Sequence, residues 1–244
     1  MINTLHSNYI NYIDHNELKI NDIIDVDIKK YLSVSKFYYH KCLYQYPDEE
    51  NKLLMIKLPF IKLLKNPFKN SNENQNQITI DLDHAQHLDI IISLYQYDLY
   101  IEKLVNTLND KFICLSKLVS NRNCKDASLV SLTEQLRPIK CKFIYNKTDS
   151  LIKTKIINYN VSKKYPKIEI LNSIKRDDLN RILYKNKEIR MMVTPITWFD
   201  YKNKRYGSYL QIQKMEVKFN GASIKSKFNE DQIIVDKIIH KITI

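Results

Sequence analysis

Glycine is nearly absent: a chain of 244 residues carries two, Gly207 and Gly221. A Walker A loop or a dinucleotide fingerprint needs several glycines, because the backbone itself must approach the phosphate. Nucleotide hydrolysis and nicotinamide chemistry by those routes are therefore excluded. A G-x-S-x-G nucleophile elbow is also missing. The four cysteines, Cys42, Cys114, Cys124 and Cys141, form no C-x2-C pair, which removes the usual zinc-finger spacing. No run of about 18 apolar residues occurs, so no transmembrane helix is expected. The polar N-terminus lacks the apolar segment of a signal peptide. These absences lead to the expectation of a soluble intracellular protein with reduced thiols and no membrane partner.

What is present in excess is positive charge, +12 overall. Its distribution is uneven. From Arg137 to Lys227 there are 22 Lys/Arg and 7 Asp/Glu, whereas the remainder holds 17 basic and 20 acidic residues. A cation excess confined to one part of the chain points to a polyanionic partner. The apolar fraction of 44% is that of an ordinary globular protein, so a sizeable core can form.

The pattern predicts a mainly β (α+β) fold with two helices. Residues 1–30 read as an N-terminal arm or cap, 31–219 as the core, and 220–244 as a C-terminal extension ending in a strand or short helix, all in one domain. Strands are expected at 31–46, 52–58 and 78–83, the last alternating cleanly as Ile-Thr-Ile-Asp-Leu-Asp. Leu88, Ile91, Ile92, Tyr95, Leu99 and Leu104 then recur at helical spacing, which predicts a helix over about 84–110. Residues 138–146 and 151–160 resemble a hairpin in which Lys140, Lys142, Lys153 and Lys155 form a row on one face. A short strand at 166–171 follows, then a helix over 173–190 capped by Ser173, with Asp177 and Asp178 near its start. Residues 191–200 and 206–219 form a second hairpin with the basic tip 201–205.

That second hairpin carries the strongest chemical signal. Trp198, Tyr201, Tyr206 and Tyr209 are interleaved with Arg190, Lys202, Lys204, Arg205 and Lys214. Single-strand binding needs both ingredients, cations for phosphates and aromatic faces for bases. Trp198 and the neighbouring Phe199 can equally serve as core. A second cluster runs from Lys36 to Tyr46, with Phe37, Tyr38, Tyr39, His40 and Tyr44; alternation gives each face of such a strand some aromatics, one set for the core and one to line a groove. His84 and His87 lie beside Asp81, Asp83 and Asp89, a metal or two-metal nuclease arrangement without recognisable further ligands. No catalytic residues, metal or cofactor are assigned.

The segment Met191-Met192-Val193-Thr194-Pro195-Ile196-Thr197-Trp198-Phe199, then Tyr206-Gly207 and Leu210–Val217, resembles the end of the core in single-stranded DNA-binding proteins of nucleocytoplasmic large DNA viruses. Thr-Pro-Ile before an aromatic pair is similar to the poxvirus branch; the W-F…Y-G…Q-x-x-x-V pattern is similar to the phage-like giant-virus branch. The resemblance implies an OB-fold-like barrel that coats single-stranded DNA during viral replication, recombination or repair in the host cytoplasm or nucleus. It implies no catalysis. It also implies that the matched basic and aromatic residues face the strand. Taken with composition and pattern, Trp198, Tyr201, Tyr206 and Tyr209 are expected to stack on bases, while Arg190, Lys202, Lys204 and Arg205, with Lys140, Lys142, Lys153 and Lys155 of the lysine row, are expected to contact phosphates. RNA is an alternative ligand, and self-association and replication proteins are the expected further partners. Such proteins often end in an acidic tail. Here the sequence reads Lys237 to Ile244 without an acid, so the expected role of that end is pairing with a neighbouring subunit. The rival functions are a metal-dependent nuclease and a structural or virion interaction protein with a basic face.

Overall fold

The computed structural model describes residues 12–24, 36–46, 51–63, 66–68, 76–80, 84–108, 110–119, 139–161, 166–183 and 187–218. Among these the strands in chain order are β1 (Ile13–Asp14), β2 (Ile23–Ile24), β3 (Phe37–Lys41), β4 (Leu43–Tyr44), β5 (Lys52–Leu53), β6 (Ile56–Lys57), β7 (Ile61–Lys62) and β8 (Gln77–Ile80). After helix α1 (His84–Asn106) come β9 (Ile113–Ser116), β10 (Ile139–Phe143), β11 (Tyr145–Asn146), β12 (Leu151–Ile152), β13 (Lys155–Val161) and β14 (Pro166–Leu171). Helix α2 (Arg176–Ile182) precedes β15 (Glu188–Asp200) and β16 (Arg205–Lys218). Among the described residues the protein is mainly β with two α-helices, as its sequence indicates.

β15 and β16 form the spine. They pair antiparallel from Glu188↔Lys218 to Asp200↔Arg205, with one register shift between Met192 and Val193. Gln213 is the extra residue there, since Met192 faces Lys214 and Val193 faces Ile212. Each spine strand offers its other edge to three short strands. Along β15 these are β7, β6 and β3. Along β16 they are β9, β10 and β13, all parallel to it. β8, β14 and β1 extend the sheet beyond β10, β13 and β6. Pro195, which has no N–H to donate, falls where the edge of β15 passes from β6 to β3.

The two faces of the spine follow from alternation. Ile189, Met191, Val193, Phe199, Tyr206, Leu210, Ile212, Met215 and Val217 are buried in the core. α1 contributes Ile90, Ile91, Leu94, Tyr97, Ile101 and Val105 to that core, at helical spacing. The Tyr97 hydroxyl lies 3.3 Å from Thr197 Oγ1 and 3.6 Å from Cys42 Sγ. Thr197 in turn meets Ser208 Oγ at 2.9 Å. A polar seam thus joins α1, β15, β16 and the residue after β3, each member hydrogen-bonded as burial requires. Buried Asp98 fixes the chain after β9 to the same helix. Its carboxylate accepts the N–H groups of Leu118 at 2.9 Å and Val119 at 3.0 Å.

Several expectations are corrected. The lysine-bearing hairpin is not one: β10 and β13 do not pair with each other but each lies parallel on β16, and only β11 and β12 pair locally. Thr154 holds the divergence, donating to the Ile212 carbonyl at 2.9 Å and accepting from Ile144 N–H at 2.9 Å. The helix expected over 173–190 is the seven-residue α2, because Glu188–Arg190 already pair with β16. Its N-cap is Lys175, without a side-chain cap bond, and Ser173 Oγ instead accepts from Lys153 Nζ at 3.3 Å. The strand expected over 31–46 is split at buried Cys42 into β3 and β4. Within residues 1–30, read as an arm or cap and not overturned, β1 pairs with β6, and His15 Nε2 lies 2.6 Å from Asp89 Oδ2 on α1. Residues 220–244, with their expected extension, lie outside the described residues.

Candidate nucleic-acid interface

The face of the spine turned away from the core is where aromatic and basic residues meet. Register partners share a face, so the rungs can be read off directly. Phe37, Asp200, Arg205 and Ile113 form one rung. Tyr39, Trp198 and Gly207 form the next. Lys41, Ile196 and Tyr209 follow, and then Thr194, Gln211 and Lys142, with Ile196 and Thr194 of the central strand buried between their neighbours. Beyond the bulge, Lys57, Met192, Lys214 and Lys155 stand in a single rung. From Arg205 to Lys214 this face is about 30 Å long at ~3.3 Å per residue.

Large apolar rings are exposed here. Phe37 is 54% and Tyr39 56% exposed, and Ile113 is 61% exposed. Trp198 and Tyr209 are half-buried. Lys142 Nζ sits 4.0 Å from the centre of the Tyr209 ring, a cation–π contact. Burial holds the Lys142 pKa below the ordinary lysine value. The Tyr209 phenol is pushed up, first by burial and then by nearby Tyr39, so it remains a hydrogen-bond donor. Lys140 alternates with buried Ile139 and Cys141 and is exposed, as are Lys41, Lys155 and Arg205. Lys41, Lys140 and Lys155 make no ion pair with another described residue.

The tip caps one end. Asn203 donates its backbone N–H and Nδ2 to Asp200 at 3.1 and 2.7 Å, closing the turn. Lys204 takes a positive φ of 49° there. Its ammonium lies 3.4 Å from the centre of the Tyr201 ring and 2.7 Å from Asp110 Oδ2. That hydrogen bond raises the Lys204 pKa and lowers that of Asp110. Lys202 and Arg205 are left exposed at the tip.

The structure separates the residues singled out from sequence. Trp198, Tyr209, Arg205, Lys140, Lys142 and Lys155 share the outer face, and Tyr201 and Lys202 lie at its tip. Tyr206 does not share it. It is 6% exposed, stacked on Phe199 with ring centres 6.0 Å apart, and so unavailable for a base. Arg190 is buried too. Its Nε and Nη2 donate to Glu216 Oε2 at 2.8 and 2.5 Å, which neutralises it. Lys204 is engaged by Asp110. Lys153 is paired with Asp149 at 2.6 Å in the turn region, away from the rungs. Phe37, Tyr39 and Lys41 join the outer face from the second cluster, as its groove-lining set. Their exposure alternates with the half-buried Tyr38 and buried His40, and that alternation in 36–41 is the sequence signal that finds them.

The metal arrangement falls mostly outside the described residues. Asp81 and Asp83 lie outside them, nothing is described of the His84 and His87 side chains, and Asp89 is engaged by His15. No group of three or more His, Cys, Asp or Glu placed to hold a metal occurs among the described residues. No helix among them is long and apolar enough to cross a membrane.

No family model matches the chain, and no curated protein matches it. Among solved structures, the chain is similar to a C-terminally truncated single-stranded DNA-binding protein from bacteriophage Enc34. The identity is 12% and the TM-score 0.38, with 74% of this chain and 96% of that chain covered.

Proposed function

We propose that this protein binds single-stranded DNA without sequence preference, along the outer face of the β15–β16 spine, and catalyses no reaction. The observation that carries the reading is the aromatic patch of exposed Phe37 and Tyr39 with half-buried Trp198 and Tyr209 beside them, flanked on the same face by Lys41, Lys140, Lys142, Lys155 and Arg205. Soluble domains seldom leave several large rings together in water without a partner. Unstacked bases supply flat apolar faces, while the phosphates between them meet the cations. Double-stranded DNA hides its base faces and would use the cations alone. RNA presents the same chemistry and is a second ligand of the same site.

The wider reading follows the sequence resemblance to the viral single-stranded DNA-binding proteins. In that role the protein coats and protects single strands during viral DNA replication, recombination or repair at host sites of viral DNA synthesis. Its sheet curls as an OB-like barrel, neighbours associate along the strand, and replication proteins are further partners.

Trp198 is the sole tryptophan, so its fluorescence reports on this face directly. Titration with an oligo-thymidine should quench the emission in a saturable way, in the absence of divalent metal. Saturable binding seen by anisotropy with no change in emission would move the site elsewhere. A labelled strand should stay intact with magnesium or manganese; cleavage would instead establish the nuclease.

A further inference from the structure

Gly207 stands in the middle of β16, a position where glycine is ordinarily unfavourable. Its backbone does not require glycine, since no glycine among the described residues has a positive φ. Space does. A Cβ built on Gly207 would lie 2.9 Å from Cζ2 and 3.0 Å from Cε2 of Trp198, its partner across the rung, and 2.4 Å from Ser116 Oγ. The Ser116 hydroxyl is itself directed to the Ser208 carbonyl at 3.3 Å. The indole therefore lies against the bare backbone of β16, with Ser116 beside it, and Tyr39 is its other neighbour on the rung.

We propose that Gly207 is a positioning residue for base stacking: by lacking a side chain it seats the Trp198 indole flat on the sheet, so that one ring face is held by backbone and the other is presented to a base. This rests on the reading that the outer face binds single strands. It goes beyond it by assigning a role to one of the two glycines in the chain and by making the stacking platform preformed. A ring fixed before binding loses little freedom when a base arrives. Without the glycine the indole must tilt away, and its stack is lost while the cations around it stay in place.

The test is a double-mutant cycle in a Ser116→Ala background, which removes the hydroxyl contact. Gly207→Ala and Trp198→Phe are made singly and together; the phenyl ring lacks the benzo atoms that the new methyl would meet. Acrylamide quenching of Trp198 is measured without DNA. Oligo-thymidine binding is measured by anisotropy across a salt series. Gly207→Ala should increase the quenching constant and weaken binding about tenfold, the loss of roughly one stacked base, with the salt slope unchanged. In the Trp198→Phe background the same glycine change should leave affinity unaltered. Unchanged quenching, or an equal loss of affinity in both backgrounds, overturns the proposal. Should Gly207→Ala fail to fold with Trp198 present, restored folding in the Trp198→Phe pair supports the clash and continued failure overturns it. If the unsubstituted protein does not bind the oligomer, the functional reading fails by itself, and the quenching comparison still decides whether Gly207 seats the indole.

Discussion

Replacing Lys41, Lys140, Lys142 and Arg205 together by glutamine removes four cations from the outer face and little else. All four side chains are exposed. Glutamine keeps part of the aliphatic stem but gives up the contact of the Lys142 ammonium with the Tyr209 ring. Each phosphate contact on a single strand contributes about 0.7 to the slope of log K against log salt. Four lost contacts should therefore flatten that slope by roughly 2.8. At 0.1 M salt, relative to 1 M, each contact accounts for about 0.7 of a decade in affinity, close to 1 kcal/mol. The quadruple variant should bind oligo-thymidine several hundredfold more weakly at 0.1 M salt, about 600-fold on this estimate, and almost normally as salt approaches 1 M. Anisotropy at five or more salt concentrations gives both quantities. Lys153→Gln is the matched control: its ammonium is paired with Asp149 at 2.6 Å, so the slope should stay put. A quadruple variant with the unsubstituted slope, or a control that changes as much, would refute the placement of phosphates on this face.

Three further outcomes follow from the same geometry. Asp98→Ala strips the acceptor from two buried N–H groups; at about 1–3 kcal/mol per orphaned group it should destabilise the fold by roughly 2–6 kcal/mol in urea, and a loss well under 1 kcal/mol would contradict this. Phe199→Ala, in the core between Tyr206 and Phe112, should cost about 3–5 kcal/mol of stability, whereas its neighbour Trp198→Ala should cost about 1–3 kcal/mol of binding; the reverse ranking would exchange the two faces. The lowered pKa of Lys142 means its charge is lost at a lower pH than that of an ordinary lysine, so the salt slope should fall by up to about 0.7 before the ordinary lysine range is reached. Lys142→Arg should abolish that early fall. The sign for stability is opposite: the unfolded chain holds this proton more tightly, so folding is favoured, not weakened, as pH rises through that range.

The spine was legible because its signals are local. Thirteen- and fourteen-residue strands joined by a short polar tip are recognisable from alternation and turn chemistry alone. So was α1, whose apolar residues keep a 3.6 period for 23 residues. The parallel docking of β10 and β13 onto β16 was not, because nothing near Lys147–Ser150 announces that strands adjacent in sequence will part and find a partner some sixty residues on. The same non-locality hid the link between Tyr39 and Trp198, neighbours across a rung but far apart in the chain. Tyr206 and Tyr209 show the converse. They differ by three positions in a regular stretch of strand and must point to opposite faces, so the sequence already contained the information that only one can meet a base. Burial of Arg190 against Glu216 was invisible for a further reason: it depends on a cross-strand register altered by the Gln213 bulge.

The most direct test of single-strand recognition on this face is equilibrium binding of a labelled oligo-thymidine and a matched duplex, by anisotropy, at two salt concentrations without metal. A strong preference for the single strand, retained at the higher salt because stacking does not screen, is the expected result. Equal and weak binding to both, vanishing together as salt rises, would reduce the basic residues to a non-specific patch and contradict a base-stacking role for Tyr39, Trp198 and Tyr209.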